Sequence, residues 1–240
     1  DLVLALRLLS AWDGRLTTDS VGGSLYEVAR RALVQNLFAP VLGPELTPRW
    51  LGRAFHPVLM FVHEFYGHDT VTLLRLLGDP ECWWIKQSGG REMLLERSLT
   101  GAVAFLRSEL GPDSASWQWG RLHRITFGHA LGVQKPLDQV FNRGPVPIGG
   151  DTDTPLQTAC LPGPSYDNNA WTPSMRIVMD LGDLSNSRAV FPIGQSGQLG
   201  SPHYDDLAEP WSKGEYHPML WTRDQVEKHA EASLTLMPTP

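Results

Sequence analysis

Val190-Phe191-Pro192-Ile193-Gly194-Gln195-Ser196-Gly197-Gln198-Leu199-Gly200-Ser201-Pro202-His203-Tyr204-Asp205-Asp206 reads as an apolar strand that delivers the chain into a glycine-rich turn and then into a polar cluster. Val190, Phe191 and Ile193 are branched and aromatic residues of the kind that pack on a pleated surface. Gly194, Gly197 and Gly200 follow, where a chain leaving a sheet needs positive φ or close backbone approach. Adjacent carboxylates after Pro202 suit the exposed N–H groups at a helix start. The stretch predicts strand, turn and helix in quick succession.

Working outward, residues 174–181 form a second apolar run. The segment Gly182-Asp183-Leu184-Ser185-Asn186-Ser187 would join it to 189–193 as an antiparallel hairpin. Downstream, helices are expected over 205–212 and 222–233, with Thr222 as N-cap and Gln225 at the third helical position. Toward the amino terminus the apolar period becomes helical. Leu2, Leu6 and Leu9 share a face, and Leu25, Val28, Ala29, Ala32 and Leu33 repeat along 20–37. Further helices are expected over 55–66, 69–77 and 91–110, the last stopped by Gly111-Pro112. Pro40, Gly43-Pro44 and Gly78-Asp79-Pro80 read as connections, and Gly149-Gly150-Asp151 as the end of a loop before another pairing segment. The fold class is therefore α+β, with a mostly helical part over 1–112 and a strand- and turn-rich part with terminal helices over 113–240.

Composition narrows the function classes. The 240 residues are 42% hydrophobic and 19% charged, enough to bury a substantial core. A formal net charge of −6 without a basic stripe argues against nucleic acid, whose phosphates need clustered Lys and Arg. No apolar run reaches the roughly 18 residues of a membrane helix. Leu2 to Leu9 is too short, is broken by Arg7, and lacks the basic flank and cleavage site of a signal peptide.

The run at 190–206, followed by Trp211, Gly214, Tyr216, Trp221-Thr222-Arg223 and Val226-Glu227-Lys228-His229, resembles the carboxyl end of the penicillin acylase family. These are amidohydrolases with an amino-terminal nucleophile. Further matches follow in family order: Leu8-Leu9-Ser10-Ala11-Trp12-Asp13-Gly14, Trp117-Gln118-Trp119-Gly120-Arg121-Leu122-His123, Phe127-Gly128-His129, Phe141-Asn142-Arg143-Gly144, Gly149-Gly150-Asp151 and Pro173-Ser174-Met175-Arg176. The resemblance implies the carboxyl-terminal part of a large (beta) subunit, with both parts of the chain inside one four-layer αββα sandwich. It also implies a mechanism in which a terminal serine, freed by self-cleavage, uses its own α-amino group as base. That serine attacks an amide carbonyl, and backbone and asparagine donors hold the oxyanion. This chain begins with Asp1, and the family's nucleophile, oxyanion asparagine and calcium-binding carboxylates belong to earlier segments. The chain alone is accordingly expected to be inactive and to hold no cofactor or metal. The partners implied are the small subunit, the rest of the large subunit and a small acyl amide, with no nucleic acid or membrane, in a periplasmic or extracellular setting. A disulfide between Cys82 and Cys160 stays open on that setting, although two buried thiols are the default. An autonomous non-catalytic module, or a partner subunit of a larger assembly, is the competing reading.

Several stretches invite sharper chemistry. In His63-Glu64-Phe65-Tyr66-Gly67-His68 the histidines are five apart, turning through about 500° on a helix, so they miss the shared face a zinc pair needs. Gly194-Gln195-Ser196-Gly197 lacks the GxSxG spacing of a nucleophile elbow. Asp151 and Asp153 without further oxygen donors read as a turn rather than a calcium loop. His123 and His129, near Trp117 and Trp119, read as core residues. Asp180 is the one catalytic candidate: a carboxylate ending the apolar run Ile177-Val178-Met179 needs a partner, and some members of the family resembled carry an acid there. Gln195, Ser196, His203 and Tyr204 are the candidates for supporting the site.

Overall fold

The computed structural model describes residues 1–51, 70–160, 165–168 and 172–238. The helix expected over 55–66 and the HEFYGH stretch lie outside the described residues. The chain forms two compact units, Asp1–Thr172 and Pro173–Pro240. The change from helix to strand instead falls after Leu110, within the first unit.

The first unit opens with α1 (Leu2–Ser10), α2 (Val21–Trp50), α3 (Thr70–Gly78), α4 (Trp83–Gln87) and α5 (Arg91–Leu110). The Ser20 hydroxyl accepts the Gly23 N–H at 3.0 Å, which caps α2. Gly111, at φ 99°, closes α5 where the sequence placed the stop. The prolines of α2 depart from expectation, because Pro40 lies inside the helix and the break comes at Gly43, at φ 69° and ψ −179°. Pro40 has no N–H for the Asn36 carbonyl. The Arg97 guanidinium of α5 donates to that carbonyl instead, at 3.3 Å, so the helix survives the missing bond.

Two cores form along α2. Its first half packs Leu25, Val28 and Ala29 with Ala102, Val103 and Leu106 of α5 and with Ala5, Trp117, Trp119, Cys160 and Tyr166. Its second half packs Leu33, Val34, Leu37 and Phe38 with Leu73, Cys82, Ile85 and Leu94. Both cysteines are free and buried.

After α5 the chain turns through α6 (Trp119–Leu122) into β1 (Arg124–Phe127), α7 (Asp138–Phe141) and β2 (Arg143–Pro147). The antiparallel β1–β2 pair, Arg124 opposite Pro147 and Ile125 opposite Val146, was not legible in the sequence. A two-stranded ribbon is marginal by itself. This one is anchored by buried Ile125 and by the Asn168 N–H on the Arg124 carbonyl at 2.8 Å. The Arg124 guanidinium adds a forked bond to Asp167, at 3.0 and 3.2 Å.

The second unit contains β3 (Arg176–Val178), β4 (Arg188–Val190), α8 (Ala208–Lys213), β5 (His217–Pro218) and α9 (Arg223–His229). The expected hairpin is present, with Ile177 opposite Ala189, but both strands are shorter than 174–181 and 189–193. β5 pairs with the other edge of β4, giving the order β3-β4-β5. α9 begins as expected: Thr222 accepts the Gln225 N–H and the Gln225 side chain reaches back to the Thr222 N–H. The unit's core is small. Ala189, Val190, Tyr204 and Trp211 are buried, and Arg176 donates to the Trp211 carbonyl with its guanidinium over the indole at 5.0 Å. Helices and a few antiparallel strands together make the chain α+β.

Candidate functional site

Asp180 follows β3, and its carboxylate is consumed locally. Oδ1 accepts the Gly182 N–H at 2.9 Å and the Asp183 N–H at 3.2 Å, and Oδ2 accepts Asn186 Nδ2 at 3.4 Å. These donors hold its pKa below the ordinary carboxylate value. Its own N–H is bound to Ser187 Oγ at 3.1 Å. The partner that an acid at a strand end requires is thus the connection to β4, and the group is an ionised turn former.

Gln195, Ser196, His203 and Tyr204 are brought together by one loop. Its ends are tied by the Ser196 N–H on the His203 carbonyl at 3.0 Å and the Leu207 N–H on the Ile193 carbonyl at 2.8 Å. Gly194 sits at the crossing, where a Cβ would run into the His203 and Tyr204 carbonyls. Gly197 and Gly200 do not share that role, since each faces open space without positive φ. Tyr204 is the buried anchor of the loop, while Gln195 and His203 are exposed.

The loop does not assemble a nucleophile. Ser196 Oγ accepts the Gln198 N–H at 3.1 Å. Among the described residues, the His203 ring bonds Asp206 through Nδ1 at 2.8 Å, with Glu231 at 3.9 Å from Nε2. The bond to Asp206 raises the His203 pKa, favouring an imidazolium rather than a base. The expectation that Asp205 and Asp206 cap a helix is corrected: α8 starts three residues later than 205, with Leu207 as N-cap and no side-chain cap. Asp206 has a closer donor in His203.

The Trp-Gln-Trp-Gly-Arg-Leu-His motif forms a sealed polar cluster in the first unit. The Trp119 indole donates to the Gly150 carbonyl at 2.9 Å and stacks on His123 with centroids 4.8 Å apart. His123 is fully buried, with Nδ1 2.6 Å from the Tyr166 carbonyl. A carbonyl only accepts, so Nδ1 carries the proton, and burial lowers the ring's pKa, favouring the neutral form. His129 stacks on Phe141 at 4.9 Å and accepts the Leu131 N–H. Both histidines are core or turn residues, as their surroundings predicted.

The Gly-Gly-Asp segment closes a tight turn after β2. Gly150 has φ 81°, and a Cβ there would strike the Leu156 carbonyl. Buried Asp151 accepts the Asp153 and Thr154 N–H groups at 2.9 and 2.8 Å through Oδ1, the turn expected from the sequence. Asp153 accepts from Thr70 Oγ1 at 2.7 Å. Sequence reasoning passed over Glu27, an acid on α2 that is only 2% exposed. Its helix face, shared with the small residues Gly23 and Ser24 four and three positions earlier, which are buried, was the available signal.

Among the described residues no three His, Cys, Asp or Glu side chains group as metal ligands. No helix among them is long and apolar enough to cross a membrane. A cavity of about 260 Å³ in the first unit is walled mainly by Leu9, Leu33, Leu73, Leu77, Leu95 and Leu99. Such walls offer few of the convergent polar groups that orient an amide.

The sequence model described as penicillin amidase matches residues 1–228. The acyl-homoserine lactone acylase QuiP of Pseudomonas syringae pv. syringae (strain B728a) is 31% identical over 238 residues, covering 98% of this chain and 28% of that protein. Penicillin acylase 2 proenzyme of Pseudomonas sp. (strain SE83) is 32% identical over 237 residues, covering 96% of this chain and 28% of that protein. Among solved structures, a thermostable penicillin G acylase from Alcaligenes faecalis aligns with a TM-score of 0.49 at 18% identity. That alignment covers all of this chain and 43% of the other. The chain thus spans little more than a quarter of the length of these curated relatives.

Proposed function

The chain belongs to the penicillin amidase family, and on that premise we propose that it is one part of an acylase that hydrolyses linear amide C–N bonds. The observation that carries this reading is the family match over 1–228. Relatives named as acyl-homoserine lactone acylase and penicillin acylase support the substrate class, an acyl group joined to an amine. In this reading the chain is the carboxyl-terminal part of the large subunit, and a terminal serine elsewhere in the protein attacks the amide carbonyl to form an acyl-enzyme.

The segment's own task is structural. Its serine and acid candidates are engaged in local turns, Ser196 with Gln198 and Asp180 with Gly182 and Asp183. It is inactive by itself, and calcium, where the whole protein uses it, is held by other residues. Asp151 and Asp153 are engaged with backbone amides and Thr70 respectively. The reading extends to a periplasmic or extracellular setting, on the resemblance to the family alone. The partner is the remainder of the acylase, and its docking surface includes the edge strand β3, around which Met175, Val178 and Leu181 are exposed.

Activity on chromogenic acyl amides tests the first point. The whole protein should turn over and keep most of its rate in Ser196→Ala and Asp180→Asn variants, while the segment alone should show background only. Turnover by the segment, lost in Ser196→Ala, would overturn the assignment. Replacing Met175, Val178 and Leu181 by serine should weaken association with the remainder of the acylase. Unchanged association would favour an autonomous module.

A further inference from the structure

α9 buries none of its side chains, and residues 230–237 after it are exposed throughout. With no apolar face sealed, this end of the second unit depends on polar ties. Two of them are internal to the helix: the Thr222/Gln225 capping box and the His229 ring on the Gln225 carbonyl at 2.8 Å. A third reaches across the unit, where His203 Nε2 lies 3.9 Å from Glu231 Oε2. Among the described residues it is the one ion pair made by residues 230–237.

His203 is a fixed base for that tie. Its carbonyl accepts the Ser196 N–H at 3.0 Å, and its own N–H is bound to Ser201 Oγ at 3.1 Å. Its Nδ1 is 2.8 Å from Asp206 Oδ2. A carboxylate only accepts, so the ring keeps a proton on Nδ1 in either charge state. Nε2 therefore donates toward Glu231 only in the imidazolium. In the neutral ring Nε2 turns a lone pair toward a second acceptor, and attraction gives way to repulsion.

We propose that His203 is a pH-operated clasp: as the imidazolium it ties the segment after α9 to the 194–207 loop through Glu231, and as the neutral ring it lets that segment go. The clasp lies wholly within the second unit and does not depend on the acylase reading. The charged groups that act on the ring are Asp206 from its own loop and Glu231 from the segment after α9. Asp205 flanks the ring in sequence on the loop, and Lys228 and His229 end α9. The hydrogen bond to Asp206, with its charge and that of Glu231, holds the His203 pKa above the ordinary 6.5. The clasp is thus fully closed below that ordinary value and opens as pH rises through the raised one.

The test uses the whole protein with a spin label at Ser233→Cys, an exposed position in the released segment. Between about pH 6 and about pH 9 the ratio of mobile to held label should rise about two- to fivefold, the range of an exposed ion pair. Its midpoint should coincide with the titration of the His203 ring followed by carbon-13 NMR, the resonance being identified by its loss in His203→Ala. That variant should be mobile throughout. Glu231→Gln should lose the pH dependence, because an amide donates to the neutral ring and accepts from the charged one. Asp206→Asn should move the midpoint down, and His229→Gln should leave the profile unchanged. Label mobility that does not change with pH in the wild type, a His203 ring titrating at or below 6.5, or a Glu231→Gln variant with the wild-type pH dependence would overturn the proposal.

Discussion

The first unit, Asp1–Thr172, and the second, Pro173–Pro240, share a chain but solve the burial problem differently. In the first, α2 and α5 close around leucines, Trp117 and Trp119, and even the polar residues His123, Glu27 and Asp151 are enclosed. In the second, a three-stranded sheet and one short helix seal Trp211, Tyr204 and little else, while Leu181 stays 89% exposed. A hydrophobic core grows with the layers that can face one another. The first unit has helices on several sides of α2. The second has a sheet whose β3 edge is unpaired in the sheet order and whose flanking apolar residues are exposed.

The sharpest way to break this comparison is one substitution made in both units. Leu25 is fully buried and Leu181 exposed, so Leu25→Ala should cost about 2–5 kcal/mol and Leu181→Ala about 0.5 kcal/mol or less. Urea unfolding followed by circular dichroism decides it, and similar losses at both sites would show that the second unit is as closed as the first. A smaller effect separates the glycines. Gly150 combines positive φ with a carbonyl in the way of any Cβ, whereas Gly197 has neither. Gly150→Ala should therefore destabilise by about 1–3 kcal/mol, and Gly197→Ala should leave the melting temperature nearly unchanged. The smallest effect concerns a helix held by its own cap. Thr222→Ala removes the acceptor for the Gln225 N–H and should cost about 1 kcal/mol. That loss should be visible as lower amide protection in α9 with α2 and α5 unaffected.

Loss of legibility in the sequence follows the same division. The spans of α1 and α5, the Gly111 stop and the Thr222/Gln225 capping box were readable because each depends on residues three or four positions apart. The 174–181 and 189–193 strands were readable as apolar runs, yet their ends were overestimated. Pairing stops where Asp180 draws its backbone neighbours into a turn, and Pro192 cannot donate to a ladder. Asp180 and the 195–204 loop were legible as special positions through composition, but their use was not. Asp180 closes a turn, and His203 turns to Asp206 rather than to Ser196.

By itself, then, the sequence determined the helical first half, the caps, the hairpin, the α+β class and the family, since local periodicity and ordered motifs survive without knowledge of contacts. Only the tertiary structure decided that β1 pairs with β2, that Arg97 lets α2 continue through Pro40, and that the Trp119 indole meets the Gly150 carbonyl far along the chain. The physical reason is sequence distance. A helix bond links neighbours whose identities can be read together. A buried carboxyl acquires its pKa, and a strand its partner, from groups that only folding brings into reach.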